Sequence, residues 1–414
     1  MYGYAPAEPV ITAFGLMEFN ELSEVYEVEE KVIDNMVEYL FDVQNVNGSF
    51  DYNTVYIGGT ASRDDLAMNA YIIWALSEVV PNDKRLEKSI SYLENKLDKI
   101  KDNYTLALIA NIFANTDNKN SANEVLKMIN QNIKVTENGA YIASNISDYY
   151  GTRGNHQNNQ ATALTSMALT KLNSNQKNNE EFVKFLVSQK DKYGSWGTTQ
   201  ATVLALKAIN SFTQNSDIKD QTITIKLNDK EEKIEIKENA LDVYEVEFDN
   251  VSKENRLLID MKKGKITYEV IKNYYQSYAE IDDDLQNENK LSVVQNLNSV
   301  AKVNDIITQN ISIKNNKTYI ENGLIEINIP QGTTPVEASL MNLKYNGIIE
   351  KYEYNYGKIN IYLRQIYSND NIELLVKYRA LYPENITGGA IRFFDYYNPE
   401  IEEICYPKVL IVEE

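Results

Sequence analysis

Gln189-Lys-Asp-Lys-Tyr-Gly-Ser-Trp196 runs through Gly197 and Thr198 into Thr199-Gln-Ala-Thr-Val-Leu-Ala-Leu-Lys-Ala-Ile209. An earlier stretch, Gln44-Asn-Val-Asn-Gly-Ser-Phe50, repeats the glutamine, the short spacer and the Gly-Ser-aromatic. A turn of this kind feeding a small-residue helix, used more than once, is a repeated unit, and repeats set architecture before any single residue does. Asn138-Gly-Ala-Tyr141 reads as a degenerate third copy. Glycine permits the tight turn, and the aromatic plugs the seam between neighbouring hairpins.

Around these turns the apolar spacing is helical from Pro9 to about Phe212. Val32, Met36, Tyr39, Leu40 and Val43 form one stripe; Leu66, Ala70, Ile73, Trp74 and Leu76 form another. Small-residue helices such as Gln160-Ala-Thr-Ala-Leu164 alternate with charged amphipathic ones. That alternation suits two concentric layers, with the small-residue helices inside. Past Gln214 the period changes to two. Thr222–Leu227, Lys233–Lys237, Tyr244–Phe248 and Ile266–Val270 alternate as strands, with Asn228-Asp229 as a hairpin turn. The acidic stretch Ile281–Lys290 reads as a linker. Beyond it, strands are expected at Ile307–Ile313, Leu324–Ile329, Ile359–Leu363, Ile372–Tyr378 and Ala390–Tyr396, interrupted by an amphipathic turn of helix at Val336–Leu343. The fold class is therefore multidomain, α then β: an incomplete α/α toroid, a small β-sandwich, and a C-terminal β-sandwich.

Composition removes several functions. A length of 414 residues points to more than one core. A net charge of -19 repels phosphate backbones, so no nucleic-acid partner is expected. One cysteine, Cys405, and one histidine, His156, leave no intrachain disulfide and argue against Cys/His zinc sites or a Ser-His-Asp set. No apolar run reaches the ~20 residues that span a bilayer, so no membrane insertion is expected, and the first residues do not read as a signal peptide. Asn-X-Ser/Thr matches at Asn103, Asn145, Asn316 and Asn385 are no more than asparagine abundance supplies.

Several stretches, in order, resemble the C-terminal region of the α2-macroglobulin and complement thioester-protein family. Pro9–Phe19 is similar to its Leu-Thr-Ala-Tyr helix, and Tyr39–Phe50 to its Trp-Leu-X-X-X-Gln-X-X-Asp-Gly-Ser-Phe segment. Gly194-Ser-Trp-Gly-Thr-Thr-Gln-Ala-Thr202 matches best. Ile349–Tyr354, Ile361–Leu363 and Ala390–Pro399 resemble the receptor-binding domain, the last of them its final strand. The resemblance implies a truncated thioester domain over 1–216, a remnant of the CUB β-domain over 217–282 and a receptor-binding macroglobulin domain over 283–414. It implies a scaffold and interaction part of a protease inhibitor or opsonin, extracellular or at a cell surface, with proteases, cell-surface targets or a receptor as partners, and no cofactor. The family's Gly-Cys-Gly-Glu-Gln motif is not in these residues, and the loop Asp51–Ala61 lacks the histidine that assists acyl transfer in complement-like members. A fragment of a longer protein is the favoured explanation, against a lineage that lost the reactive centre, with the first hairpin of the barrel missing and an apolar edge left open.

No catalytic, cofactor-binding or metal-binding residue is assigned. His156, in Arg153-Gly-Asn-His-Gln-Asn158, reads as a loop residue capping or meeting solvent, against a displaced transacylation base. Cys405 follows Glu402-Glu-Ile404, carboxylates that raise a thiol's pKa. Asp282-Asp-Asp284 reads as solvated linker and lacks the spaced ligands of a calcium loop. Asp64-Asp65 could suggest terpene cyclases, which share the toroid and its Gln-rich turns, and prenyltransferases need a zinc set that this toroid cannot supply. Lys344 falls near receptor-binding lysines of some vertebrate members, with a plain surface lysine as the default. Trp196 is expected to be a structural plug. A toroid enzyme and a stand-alone adhesion module stay open as alternatives.

Overall fold

A computed structural model describes residues 7–51, 65–144, 155–191, 194–214, 221–237, 244–249, 251–262, 266, 268–274, 291–316, 319–320, 322–396 and 398–414. The chain divides into two compact units, 1–271 and 272–414.

The first unit begins with α1 (Pro9–Leu22), α2 (Glu30–Asp42), α3 (Asp65–Val79), α4 (Leu86–Glu94), α5 (Asn103–Asn115), α6 (Lys119–Asn130), α7 (Asn155–Lys171), α8 (Gln176–Ser188) and α9 (Thr199–Gln214). Burial sorts them into two layers. In α3 every residue from Ala67 to Ser77 is buried, and in α5 every residue from Asn103 to Phe113. α7 is buried without a break over 159–169. A helix apolar all round needs neighbours all round. By contrast, α2 buries only Val37, Leu40 and Phe41, and α6 only Ala122, Val125, Leu126 and Ile129. The odd-numbered helices α1 to α9 accordingly pack in succession as an inner layer, while α2, α4, α6 and α8 lie outside them. Among the described residues the inner layer has five helices and the outer layer four. Lys207 of α9 forms an ion pair with Glu21 of α1, yet Ile11 and Leu206 on these two helices stay 41% and 53% exposed. The helix starts are specified locally. Glu8 accepts from the Ile11 amide with Pro9 opening α1, and Asp102 accepts from the Thr105 amide to cap α5.

After the toroid come β3 (Gln221–Leu227), β4 (Lys230–Ile236) and β5 (Leu257–Asp260), in the antiparallel order β4-β3-β5; β1 (Ile133–Thr136) and β2 (Gly139–Ile142) form a hairpin inside the toroid. Asn228 turns the β3–β4 hairpin at φ 54. Two expectations fail here. Tyr244–Phe248 joins no ladder, and neither do the described residues of Ile266–Val270. The third strand is instead Leu257–Asp260, a run too short for its alternation to be read.

The second unit contains β6 (Leu291–Leu297), β7 (Val300–Lys302), β8 (Ile306–Asn315), β9 (Gly323–Asn328), β10 (Thr333–Pro335), α10 (Glu337–Tyr345), β11 (Lys351–Asn355), β12 (Lys358–Tyr362), β13 (Asn371–Ala380), β14 (Glu384–Thr387), β15 (Ile391–Asp395), β16 (Asn398–Cys405) and β17 (Val409–Glu413). Its sheets run β10-β13-β8-β6, β11-β12-β9-β15-β16 and β14-β17-β7. The core is aliphatic, with Ile307, Ile311, Ile325, Ile327, Ile359, Ile361 and Phe393 all within 1% exposure. One expectation is corrected: Ala390–Tyr396 supplies β15, but two further strands follow it, so it is not the last strand. In the first, Asn398–Cys405, Pro399 and Glu402-Glu403 break the period-two signal, and the second, Val409–Glu413, is a short, nearly unbroken apolar run.

Candidate functional site

The repeated turns place the residues singled out in the toroid. In the first, Gln44 Nε2 donates to Ser89 Oγ and the Arg85 carbonyl, and Ser89 Oγ donates to the Gly48 carbonyl. Gly48 sits at φ 86 so close to α4 that a Cβ would lie 2.3 Å from the Lys88 carbonyl oxygen. Gly139, at φ 114, presses on α8 in the same way, 2.4 Å from the Glu181 carbonyl oxygen. The inner helix that follows each turn then captures its backbone. Asn69 of α3 accepts from the Phe50 amide, Thr162 of α7 from Ile142, and Thr202 of α9 from Trp196. The degenerate copy at Gly139 is therefore a true copy. Gly194, at φ 83, differs: nothing lies within 4 Å of its Cβ position.

Trp196 is 3% exposed, and its Nε1 donates to the Leu186 carbonyl at 2.6 Å. His156 is not a solvent-facing loop residue. It lies in the first turn of α7, 9% exposed, with its ring against Gly197. Its Nδ1 lies 3.1 Å from the Trp196 carbonyl oxygen, an acceptor, which places the proton on Nδ1. The histidine thus ties α7 to the turn before α9.

The other residues are dispersed. Cys405 ends β16, and burial pushes its thiol up from the ordinary value. Lys344 is exposed near the end of α10, beside Tyr345 at 91% exposure. Asp65 opens α3. Asp64, Asp282–Asp284, residues 52–61 and Asn145 lie outside the described residues. Among the described residues no three acidic, histidine or cysteine side chains group as a metal site.

Two polar groupings escaped the sequence reading. Arg85 stacks 3.9 Å over the Phe41 ring and donates to both Glu38 and Asp83, clamping α2 to the start of α4. The Glu38 and Asp83 hydrogen bonds hold its guanidinium charged well beyond the ordinary range. The second grouping lies where α3, α5 and α7 end. Lys171 donates to Glu78 and, at 2.6 Å, to Asn115 Oδ1; Trp74 Nε1 donates to Glu78 at 2.7 Å. Charged residues in the last turns of otherwise apolar inner helices were the available signal.

Comparison with known proteins follows this anatomy. Residues 1–212 match the model of the A-macroglobulin TED domain, and residues 321–406 that of the A-macroglobulin receptor binding domain. Thioester-containing protein 1 allele R1 of Anopheles gambiae is 21% identical over 402 residues, 92% of this chain and 28% of that protein. Complement C3 of Oncorhynchus mykiss is 22% identical over 425 residues, 94% of this chain and 25% of that protein. Native α2-macroglobulin of Escherichia coli, from domain MG7 to the C-terminus, superposes with a TM-score of 0.61 at 12% identity, covering 99% of this chain and 64% of that one. A Salmonella α2-macroglobulin mutant, Y1175G, gives 0.58 at 12% identity over 99% of this chain and 26% of that one. This chain spans about a quarter of the length of the curated relatives it matches. Among the described residues no helix is long and apolar enough to cross a membrane. With the first of these domain models matching 212 of 414 residues, and a receptor-binding domain following it in the family's order, the chain belongs to the α2-macroglobulin family.

Proposed function

We propose that this chain supplies the C-terminal scaffold and interaction part of an α2-macroglobulin-like protease inhibitor or opsonin. Its parts are a thioester-type toroid over 1–216, a CUB-like remnant over 217–282 and a receptor-binding sandwich over 283–414. The observation that carries the reading is the order of the two domain matches within one chain. The packing supports it over a toroid enzyme. Inner helices buried on every side over Ala67–Ser77 and Asn103–Phe113 fill the toroid with side chains, whereas a cyclase needs an open, acid-lined cavity.

On this reading the chain has no catalytic residue acting on another molecule and no cofactor. It works outside the cell or at its surface, as part of an assembly that meets proteases, cell-surface targets or a receptor. Its 414 residues hold no Gly-Cys-Gly-Glu-Gln run, and Cys405 lies at the end of β16, far in sequence from the toroid. Incubation of the purified chain with labelled methylamine is expected to give no stoichiometric adduct by intact mass. An adduct would overturn the assignment of a scaffold without its own thioester.

A further inference from the structure

Three inner helices end together on one polar cluster. Glu78 is next to last in α3, Asn115 is the last residue of α5, and Lys171 is the last of α7. Lys171 Nζ donates to a Glu78 oxygen and to Asn115 Oδ1, the latter at 2.6 Å. Lysine is a donor only, so it faces the carbonyl side of the carboxamide. Asn115 Nδ2 points the other way and donates to Ser77 Oγ at 3.0 Å. Ser77 Oγ is fixed in turn by donating to the Trp74 carbonyl. Glu78 Oε1 accepts from Trp74 Nε1 at 2.7 Å, and the Trp74 residue is 2% exposed. The lysine and glutamate side chains keep 29% and 22% of their exposure, so the cluster opens to water on one side.

An amine, a carboxamide and a carboxylate in mutual contact form a complete reacting set. We infer that Lys171 and Asn115 condense to an intramolecular isopeptide bond, with Glu78 moving the protons. Lys171 passes a proton to Glu78 along their existing hydrogen bond. The neutral amine attacks Cγ of Asn115, forming the new C–N bond. Glu78 gives that proton to the departing nitrogen and the old Cγ–Nδ2 bond breaks. It then takes the second proton from the attacking nitrogen, which leaves a neutral amide, and passes it to the ammonia, which leaves through the open side as ammonium. Alkylammonium plus carboxamide gives secondary amide plus ammonium ion, with no change of oxidation state and no co-reactant. Holding the groups together on three packed helices replaces the collision that makes the same reaction slow in solution.

The surroundings set the protonation states from which the reaction starts. Burial lowers the ammonium of Lys171 from its ordinary pKa, outweighing the pull of Glu78, and the charge of Lys207 lowers it further. Burial raises the carboxyl of Glu78, but Lys171, Asn115 and Trp74 outweigh it and hold it lowered, so it starts ionised; as a weakened base it relies on its direct hydrogen bond to Lys171 to take the proton. The reaction is a single self-modification, distinct from turnover of a substrate. It covalently closes a loop between positions 56 apart, joining the ends of α5 and α7.

Intact-mass spectrometry of the unreduced full chain tests this directly. The expected mass is below that of the sequence by one ammonia, about 17 Da. After trypsin, peptides 102–119 and 154–177 should appear as one branched species with Lys171 uncleaved, which separates a crosslink from succinimide formation. Lys171→Arg keeps a cation for Glu78 but should retain the full mass. Glu78→Gln should reduce the crosslinked fraction at least about tenfold, as loss of a general acid–base does. A wild-type chain of full mass, with 102–119 and 154–171 recovered as separate peptides after prolonged incubation at neutral pH, would overturn the proposal whatever the variants do.

Discussion

The toroid and the three-stranded sheet after it draw on the same apolar residue types, but only the toroid builds a buried layer from them. Over Ala67–Ser77 of α3 and Asn103–Phe113 of α5 every residue is buried. Around β5 burial is incomplete. Leu257, Ile259, Met261, Ile266, Tyr268 and Val270 line an open groove of about 340 Å³, and Tyr268, Val270 and Ile271 remain 59–68% exposed. Helices satisfy their backbone internally, so a helical layer needs only side-chain neighbours. A strand also needs a hydrogen-bonding neighbour, and β5 has one on a single side. Burial energy is therefore concentrated in the toroid and the C-terminal sandwich, and the middle sheet contributes little.

The sharpest way to break that contrast is Trp196→Ala. It removes a ring that is 3% exposed together with its hydrogen bond to Leu186, and should cost ~3–5 kcal/mol. The hydrophobic cores of the two units are separate clusters. Calorimetry should then show two transitions, with only the toroid's lowered. Equal shifts in both would refute separate cores, and no shift would refute the plug.

The glycine turns sharpen the comparison within the toroid itself. Gly48→Ala and Gly139→Ala drive a Cβ into the backbone of α4 or α8, on top of the left-handed strain. Gly194→Ala meets only the strain, ~1–2 kcal/mol. The first two should unfold the toroid at clearly lower denaturant than the third. If all three variants had the same midpoint, the equivalence of Gly48 and Gly139 and the exception of Gly194 would both be wrong.

In the sandwich, Tyr378 is fully buried and donates to Gln309, which donates to Gln295, which donates to the Tyr406 carbonyl. Gln309→Leu would strand the Tyr378 hydroxyl and the Gln295 carbonyl, at ~1–3 kcal/mol for each buried group left unpaired. The second transition should fall and the first should not.

These targets differ in how far the sequence disclosed them. The layers of the toroid were legible because a helix buried all round and an amphipathic one write different patterns, as in Ala67–Ser77 against Val37, Leu40 and Phe41. The turns were legible because a glycine at positive φ has few substitutes. Strand pairing was less so. Tyr244–Phe248 alternates as well as Thr222–Leu227, yet period two says only that a segment has two faces, and nothing in it names the neighbour. For the Glu78, Asn115 and Lys171 cluster the sequence offers charged residues at the ends of apolar helices, but not that they meet. Its members are 37 and 56 positions apart, and each alone is an ordinary polar residue at a helix end. His156 looked like a loop residue because its flanks are polar, when its bond to Trp196 depends on a turn 40 positions away.

The smallest effect is expected where the comparison began, on the open groove of the middle sheet. Tyr268→Ser removes an aromatic that is 59% exposed, so the loss of burial is slight and stability should change by no more than about 0.5 kcal/mol. The same change takes away part of an apolar surface that water now wets. Binding of an environment-sensitive apolar dye to the folded chain should therefore drop while both unfolding transitions stay in place. A stability loss comparable to that of Trp196→Ala would mean that the middle sheet is packed as tightly as the toroid, and that the two regions do not differ as argued. An unchanged dye signal with unchanged stability would leave the contrast in packing intact but show that the groove is not the wetted apolar surface.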